Sequence, residues 1–507
     1  MDSRTLNSKR NIIVGILSSL LTPIFGLIIK SAIINNFNVE YIGLTSVFAS
    51  MIQVLNLAEL GFSSAVVVNL YKPLKENDLV AVQGILSYFR QVYRIIGISV
   101  FCIGILISPL LKILAVNTSD VRENIYILYF LYIADTTMSY VLFAYKEALL
   151  NAVQRFDIAK TAYIIVYAIK NIMQLIAIVL LKNFYLYVVI LVICTVLYNL
   201  FLNAISKKMY KQYYPNGCID SKIKGSIKEQ ILGISIGNIM GVSRNSMDSI
   251  VITYFWGLAV AGQYSNYYFI FNTVIGFSWV VINAIQASVG NSVVSETVEK
   301  NYWDMTRIEF LLNIFITACS AYMISLYQPF MKVWMGNDLI FDDSIMILFV
   351  IYFYAMAING GRNAYFFALG YWWKARWCII LESVLNIILN VILGKVWGVS
   401  GIIIATIITI IVLNYIGITN LLFREYFRFG KKEFYANRVV YTVIALTTCS
   451  ISYYSSICIQ YDGIYGLIIR ALVCTLIILF VVPSLMFILK RNDFKDAIVF
   501  VKQIIKA

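Results

Sequence analysis

Residues 398–423 read GVSGIIIATIITIIVLNYIGITNLLF and contain no charged residue. A helix of about 20 apolar residues crosses the ~30 Å hydrocarbon core of a bilayer, so this segment predicts a membrane-spanning helix. Thirteen further apolar segments of similar length can be placed along the chain. The full set comprises residues 11–34, 42–70, 91–111, 125–145, 158–181, 184–206, 231–255, 259–289, 306–327, 343–369, 377–394, 398–423, 439–459 and 464–489. The sequence therefore predicts an all-α polytopic membrane protein with fourteen transmembrane helices.

Composition independently excludes a soluble enzyme. Of the 507 residues, 61% are hydrophobic and 13% are charged, whereas soluble domains are about half apolar and about a quarter charged. The net charge of +14 is spread over short loops between apolar segments. It therefore indicates an asymmetry between the two faces of a membrane and does not predict a nucleic-acid partner.

The chemistry of metal ligands and proton carriers is restricted. The chain has no histidine, and its eight cysteines are scattered, mostly within apolar segments, without ligand spacing. We therefore expect no metal and no cofactor, and any proton coupling must use carboxylates.

The distribution of cations predicts the topology. Thirty of the 40 Lys and Arg residues fall in one alternating set of loops and termini, and five fall in the other set. Because cytoplasmic loops are enriched in Lys and Arg, both termini are predicted to be cytoplasmic. The five outer cations are Lys112, Arg122, Lys182, Lys332 and Lys395.

The basic connection at residues 207–230 is the predicted linker between two lobes, at 1–206 (helices 1–6) and 231–423 (helices 7–12). The two lobes echo each other. Residues 33–37, followed by Gly43 and Ser46, match residues 251–255, followed by Gly262 and Ser265. Repeats of this kind are typical of transporters.

Beyond the second lobe, residues 424–489 are predicted to supply accessory helices 13 and 14. Residues 490–507 form a predicted cytoplasmic amphipathic tail, with apolar residues at helical spacing opposed by lysines.

Three short motifs resemble a known family. Residues 57–65 (LAELGFSSA), 71–74 (YKPL) and 397–401 (WGVSG) resemble the polysaccharide-export branch of the multidrug/oligosaccharidyl-lipid/polysaccharide flippase superfamily. They are similar to Wzx-type O-antigen and capsule repeat-unit flippases.

The resemblance implies two six-helix lobes around a central cavity that opens alternately to each side of the bacterial inner membrane. The implied substrate is an undecaprenyl-pyrophosphate-linked oligosaccharide. The polymerase and the glycosyltransferases of the same pathway would be partners.

Charges within the predicted spans are candidate site residues, because a charge at a helix centre costs roughly 2.5–3.5 kcal/mol on insertion scales. Arg244 lies near the middle of the seventh span and Asp248 follows one turn later. The functional interpretation is a guanidinium that binds pyrophosphate, tuned by the carboxylate. The alternative is a neutral ion pair that stabilises helix packing.

Two further cations are candidate substrate ligands. Arg362 follows a double glycine that can break the tenth helix and free backbone groups toward a cavity. The alternative is that Arg362 snorkels to cytosolic headgroups. Lys30 either reaches the outer interface or faces the cavity, if the repeat matches it with Asp248. Polar residues of the eighth span that suit sugars are Tyr267, Asn283 and Gln286, although interhelical hydrogen bonds would explain the amides equally well.

Three more intramembrane charges concern coupling or packing. Asp135 and Lys170 lie mid-span on helices 4 and 5, where a structural salt bridge is the main interpretation and proton coupling through Asp135 the alternative. Glu59 faces the cavity or packs between helices.

Two rival functions are weighed against a flippase. A cation-coupled multidrug exporter of the same superfamily would carry an acid in its first helix, but residues 11–34 contain only Lys30 as a charge. A membrane-embedded glycosyltransferase or polymerase would need a large water-exposed catalytic loop, and the outer loops are short. The sequence thus favours a transporter of an anionic substrate over an enzyme.

The topology can be tested by thiol labelling in intact cells. In a cysteine-free background, we expect a cysteine at Asp462 to react with an impermeant maleimide, because that loop is predicted to face outward. A cysteine at Asn216 is expected to be protected until the cells are permeabilised. Labelling at Asn216 from outside would contradict the span assignment.

Overall fold

The computed structural model describes residues 2–59, 61–114, 121–491 and 493–494. Side chains are not described at residues 2–9, 11–13, 16, 58, 222, 226, 229–230, 232–241, 243–245, 284 and 287. The predicted tail, beyond residue 494, lies outside the described residues.

Seventeen α-helices account for most of the described chain, which contains no strand. They are α1 (Asp2–Asn36), α2 (Val39–Leu55), α3 (Phe62–Glu76), α4 (Leu79–Ile107), α5 (Leu110–Leu114), α6 (Ile125–Val141), α7 (Ala144–Ala152), α8 (Phe156–Leu175), α9 (Phe184–Met209), α10 (Ser221–Ser295), α11 (Val298–Met335), α12 (Asp343–Ala357), α13 (Gly360–Ala368), α14 (Trp372–Thr409), α15 (Thr419–Leu422), α16 (Lys431–Ile457) and α17 (Gly463–Leu489). Each of the fourteen predicted spans falls on these helices, which confirms the predicted fold class.

Two glycines divide the longest helices. The helical segment Trp372–Phe427 has 56 residues. A straight helix of that length would measure about 84 Å at 1.5 Å per residue, far more than one membrane crossing needs. Gly398 (φ 64°) interrupts it and Gly257 (φ 83°) interrupts α10. Because only glycine adopts such backbone angles readily, each glycine marks a turn between two spans. Counted by length and apolar composition alone, the described chain has nine candidate spans, or ten if α6 and α7 form one bent span.

Polar caps define where several helices begin. Asn38 accepts the backbone N–H groups of Glu40 and Tyr41 at the start of α2. Asp78 accepts that of Ala81 at the start of α4, at 2.9 Å. Side chains of this kind satisfy N–H groups that have no partner in the first helical turn, which helps to fix the helix ends.

The chain divides into two compact units, Met1–Ser265 and Asn266–Ala507. The first unit has two apolar cores, one around Phe48 and Tyr129 and the other around Phe89 and Leu149. A core of the second unit surrounds Tyr302 and Phe427. The lobe boundaries expected from the repeats stay a prediction.

Candidate functional site

In the first unit, two helix-to-helix turns pack closely against each other. We call residues 30–46 and 249–265 the paired junction. A Cβ atom added at Gly43 would overlap the carbonyl oxygen of Leu258, and one at Gly262 would overlap the carbonyl oxygen of Val39. Glycine at both positions therefore allows the two backbones to touch.

Polar bonds cross the paired junction in a symmetric pattern. Lys30 donates through Nζ to the carbonyl oxygen of Ser265 at 3.2 Å and to its Oγ at 3.1 Å. The hydroxyl groups of Ser46 and Ser249 lie 3.2 Å apart.

These contacts agree with the repeat seen in the sequence. With Gly43 opposite Gly262, Ser46 is opposite Ser265. With residues 33–37 opposite residues 251–255, Lys30 is opposite Asp248, one residue before Ser249. The pairs Lys30–Ser265 and Ser249–Ser46 therefore correspond to within one residue, as an approximate two-fold axis requires. The expected match of Lys30 with Asp248 stays a prediction.

The paired junction also brings in Asp248. Its carboxylate is buried and accepts the Tyr264 hydroxyl at 2.9 Å, next to Ser265. Nearby, the Ser246 hydroxyl donates to Gln53 at 2.8 Å. The side chain of Arg244 lies outside the described residues, and its backbone continues α10 one turn before Asp248.

In the second unit, one buried carboxylate binds groups from two other helices. Glu309 on α11 accepts the backbone N–H of Arg362 at 3.0 Å through one carboxylate oxygen. Through the other oxygen it accepts the guanidinium of Arg438 on α16. All three residues are buried, so charge-assisted bonds join α11, α13 and α16.

The guanidinium of Arg362 is held by amide groups. It donates to the carbonyl oxygen and to Oδ1 of Asn414, both at 2.8 Å, and to Oδ1 of Asn359 at 2.5 Å. Asn414 lies in a π-helical stretch, Ile410–Ile418, a local distortion often found at functional positions. Asn414 in turn donates to Glu382 at 3.1 Å. We call Glu309, Arg362, Glu382, Asn414 and Arg438 the buried network.

The buried network corrects several expectations. The double glycine does interrupt the tenth span, since α12 ends at Ala357 and α13 begins at Gly360. Arg362 does not snorkel, however, because it is fully buried. Glu309 and Arg438, which were not among the candidate site residues, are buried as well. Helix α16 begins at Lys431, before the predicted span, so Arg438 faces the protein interior.

The polar residues of the eighth span do not share one site. Tyr267 is fully buried, donates to Gln328 at 2.9 Å and accepts the backbone N–H of Phe341 at 3.1 Å. Asn283 is exposed and Gln286 is half-buried on α10. The hydroxyl of Tyr267 therefore stabilises packing, whereas the two amides are accessible.

The coupling candidates occupy a separate part of the first unit. Asp135 accepts the Thr195 hydroxyl at 2.5 Å, and Lys170 lies 4.5 Å from the centre of the Tyr167 ring. Lys170 and Thr195 both line a cavity of about 210 Å³. Glu59 accepts the hydroxyl of Tyr93, a contact that ties two helices together.

Comparison with known proteins identifies the fold. Lipid II flippase MurJ, in an inward closed conformation, superposes with a TM-score of 0.64 at 17% identity over 95% of this chain and 99% of that one. An inward-facing multidrug resistance MATE transporter of the MOP superfamily superposes with a TM-score of 0.59 at 14% identity, over 83% and 98%. The D35N mutant of the Vibrio cholerae MATE transporter VcmN gives 0.55 at 13% identity, over 82% and 96%.

The chain has the fold of these transporters. It is a multi-pass membrane protein. No family model and no curated protein matches its sequence.

The buried network predicts a strong dependence of stability on charge balance. Arg438→Met leaves the Glu309 carboxylate buried without its cation, which should cost about 3–5 kcal/mol. Adding Glu309→Gln should recover part of this loss, because the unpaired charge disappears. Thermal unfolding of the purified protein in detergent measures both effects.

Arg424, whose side chain is 74% exposed beside Glu425, provides the matched control. Arg424→Met should cost less than about 1 kcal/mol, as surface ion pairs usually do. If the double variant loses the sum of the two single losses, Glu309 and Arg438 are not coupled.

Proposed function

We propose that this protein is an alternating-access flippase that moves undecaprenyl-pyrophosphate-linked oligosaccharide repeat units from the cytoplasmic to the outer leaflet. The observation that carries the proposal is the paired junction. It is made of two glycines and two hydrogen-bonded pairs, Lys30–Ser265 and Ser46–Ser249. Small polar contacts of this kind can separate and re-form without exposing a large apolar core.

The position of the paired junction fits a gate. The cation count predicts a cytoplasmic N-terminus. On that topology α1 ends at the outer face of the membrane, and residues 231–255, the span before Gly257, also end there. The contact would then close the outer end while substrate enters from the cytoplasm. Separation of the same residues would open the outward path.

The signs of the intramembrane charges support an anionic substrate. Lys30 lies at the proposed gate. Arg244 lies on α10, just before the gate residues 249–265 of that helix. The first span carries no acid residue, which disfavours a multidrug exporter of cations even though MATE transporters share the fold. One structural neighbour is a lipid II flippase, and the sequence motifs resemble flippases for O-antigen or capsule units.

Arg244 is the proposed pyrophosphate ligand, with Asp248 tuning its charge. Arg362 has most of its donors engaged by Asn359 and Asn414, so it would reach a substrate only if the buried network rearranged. Asp135 is the proposed proton carrier, because its partner Thr195 lines a cavity and the chain has no histidine. The polymerase and glycosyltransferases of surface polysaccharide synthesis are the proposed partners.

The gate can be tested by locking it. In a cysteine-free background, Ser46→Cys with Ser249→Cys should cross-link under mild oxidation, since their hydroxyls lie 3.2 Å apart. We expect cross-linking to reduce surface glycan in a complemented deletion strain at least ten-fold. Reduction with dithiothreitol should restore it.

Each single cysteine variant controls for the substitution itself and should export normally under oxidation. Full export by the cross-linked protein would show that the paired junction does not open during transport.

The substrate role of Arg244 is tested separately. Arg244→Ala should abolish glycan export at normal protein level, and Arg244→Lys should rescue it partly, because an ammonium keeps the charge but lacks the bidentate fork. The double variant Arg244→Gln with Asp248→Asn removes both charges. Recovery of export in that variant would assign Arg244 to charge neutralisation and contradict pyrophosphate binding.

A further inference from the structure

Four cations gather at one end of the first unit. Arg90 and Arg94 lie one turn apart on α4, which packs against α7. Lys146 on α7 places Nζ 5.3 Å from the centre of the Tyr145 ring. Lys207 lies in the last turn of α9, which also packs against α7. We call these four residues the basic cluster.

Lys146 is the most unusual member of the cluster. Its side chain is buried, at 2% exposure, and its ammonium donates to the carbonyl oxygen of Tyr213 at 3.3 Å. No carboxylate of the described residues lies within 4.0 Å of it. An ammonium has three donors, and a buried charge is normally paired. The described residues therefore leave Lys146 without the anion that a buried charge needs.

Arg90 repeats the same deficit. Its Nε atom is buried and has no acceptor, while Arg94 lies exposed one turn further along α4. Neither guanidinium forms an ion pair within the part of the chain that the structure describes. The two guanidinium groups therefore increase the uncompensated positive charge beside Lys146.

Neighbouring acids are engaged elsewhere. Glu147 accepts the Tyr198 hydroxyl at 3.2 Å on another side of α7. Asp157 pairs with Arg155 at 2.9 Å. The described residues thus collect like charges around Tyr145 without supplying a counter-ion.

The surface next to the basic cluster is apolar. Ile95 and Ile98 follow Arg94 on α4 and are 64% and 58% exposed. All four cations belong to segments that the cation count places on the cytoplasmic side. A ligand that carries a phosphate and an acyl chain would satisfy both surfaces at once, because basic pockets at the cytoplasmic ends of membrane helices suit anionic headgroups.

We propose that Arg90, Arg94, Lys146 and Lys207 bind the phosphate of an anionic lipid of the inner leaflet, with its acyl chains along the exposed face of α4. This site is separate from the paired junction and from the buried network. Its occupancy would neutralise the basic cluster and stabilise the contact between α4, α7 and α9.

The test measures binding and does not depend on transport. The purified full-length protein is titrated in detergent with phosphatidylglycerol, with phosphatidylcholine and with inorganic phosphate, and its melting temperature is followed. We expect a saturable rise with phosphatidylglycerol alone. Native mass spectrometry should show retained phosphatidylglycerol.

Two variants probe the cluster. Arg94→Gln, at an exposed position that should not disturb folding, is expected to raise the half-saturating phosphatidylglycerol concentration at least ten-fold. Lys146→Met should raise the melting temperature without lipid, because it removes an unpaired buried charge, and should lose most of the rise with phosphatidylglycerol. Lys432→Gln, on an exposed lysine of α16, changes the net charge equally and should leave the lipid response unchanged.

Three results would overturn the proposal. Equal responses to phosphatidylglycerol and phosphatidylcholine would show that no anionic headgroup is recognised. A rise with inorganic phosphate of equal size would assign the cluster to a soluble phosphate. Wild-type responses in both Arg94→Gln and Lys146→Met would place lipid binding elsewhere.

Discussion

Hydrocarbon supplies no hydrogen-bond partner, so each polar group inside a membrane must be satisfied by the chain itself. This constraint explains why the described chain is built from helices with polar caps at their ends. It also explains Arg470, which is buried on α17 and donates to the carbonyl oxygens of Ile459 and Tyr461 just beyond the end of α16. The guanidinium thus satisfies carbonyl oxygens that follow a helix terminus.

The same constraint has two different solutions in the two units. In the buried network, the Arg438 guanidinium pairs with the Glu309 carboxylate. The amide of Asn414 joins the Arg362 guanidinium to the Glu382 carboxylate. Charge-assisted bonds of this kind resist separation. In the paired junction, glycines bring backbones together and a few polar pairs complete the contact. The first solution suits a rigid body, and the second suits the gate that we propose.

The basic cluster departs from this constraint within the described chain. Lys146 is buried among cations, and its partner is a backbone carbonyl. Since an uncompensated buried charge opposes folding, we propose that an anion outside the described chain neutralises it. At the predicted cytoplasmic face, an anionic lipid can provide a negative charge and an apolar chain together.

The helical spans, the match of Gly43 with Gly262 and the break at Gly360 could be predicted from the residues alone. Hydropathy over about 20 residues, a short repeated motif and a pair of glycines can each be recognised along the chain without knowledge of its packing. Which charges meet became visible only when the helices were packed. Arg438 pairs with Glu309 across 129 residues of sequence, and both side chains are buried. Partners of buried charges depend on helix packing, which brings distant residues together and which no local pattern encodes.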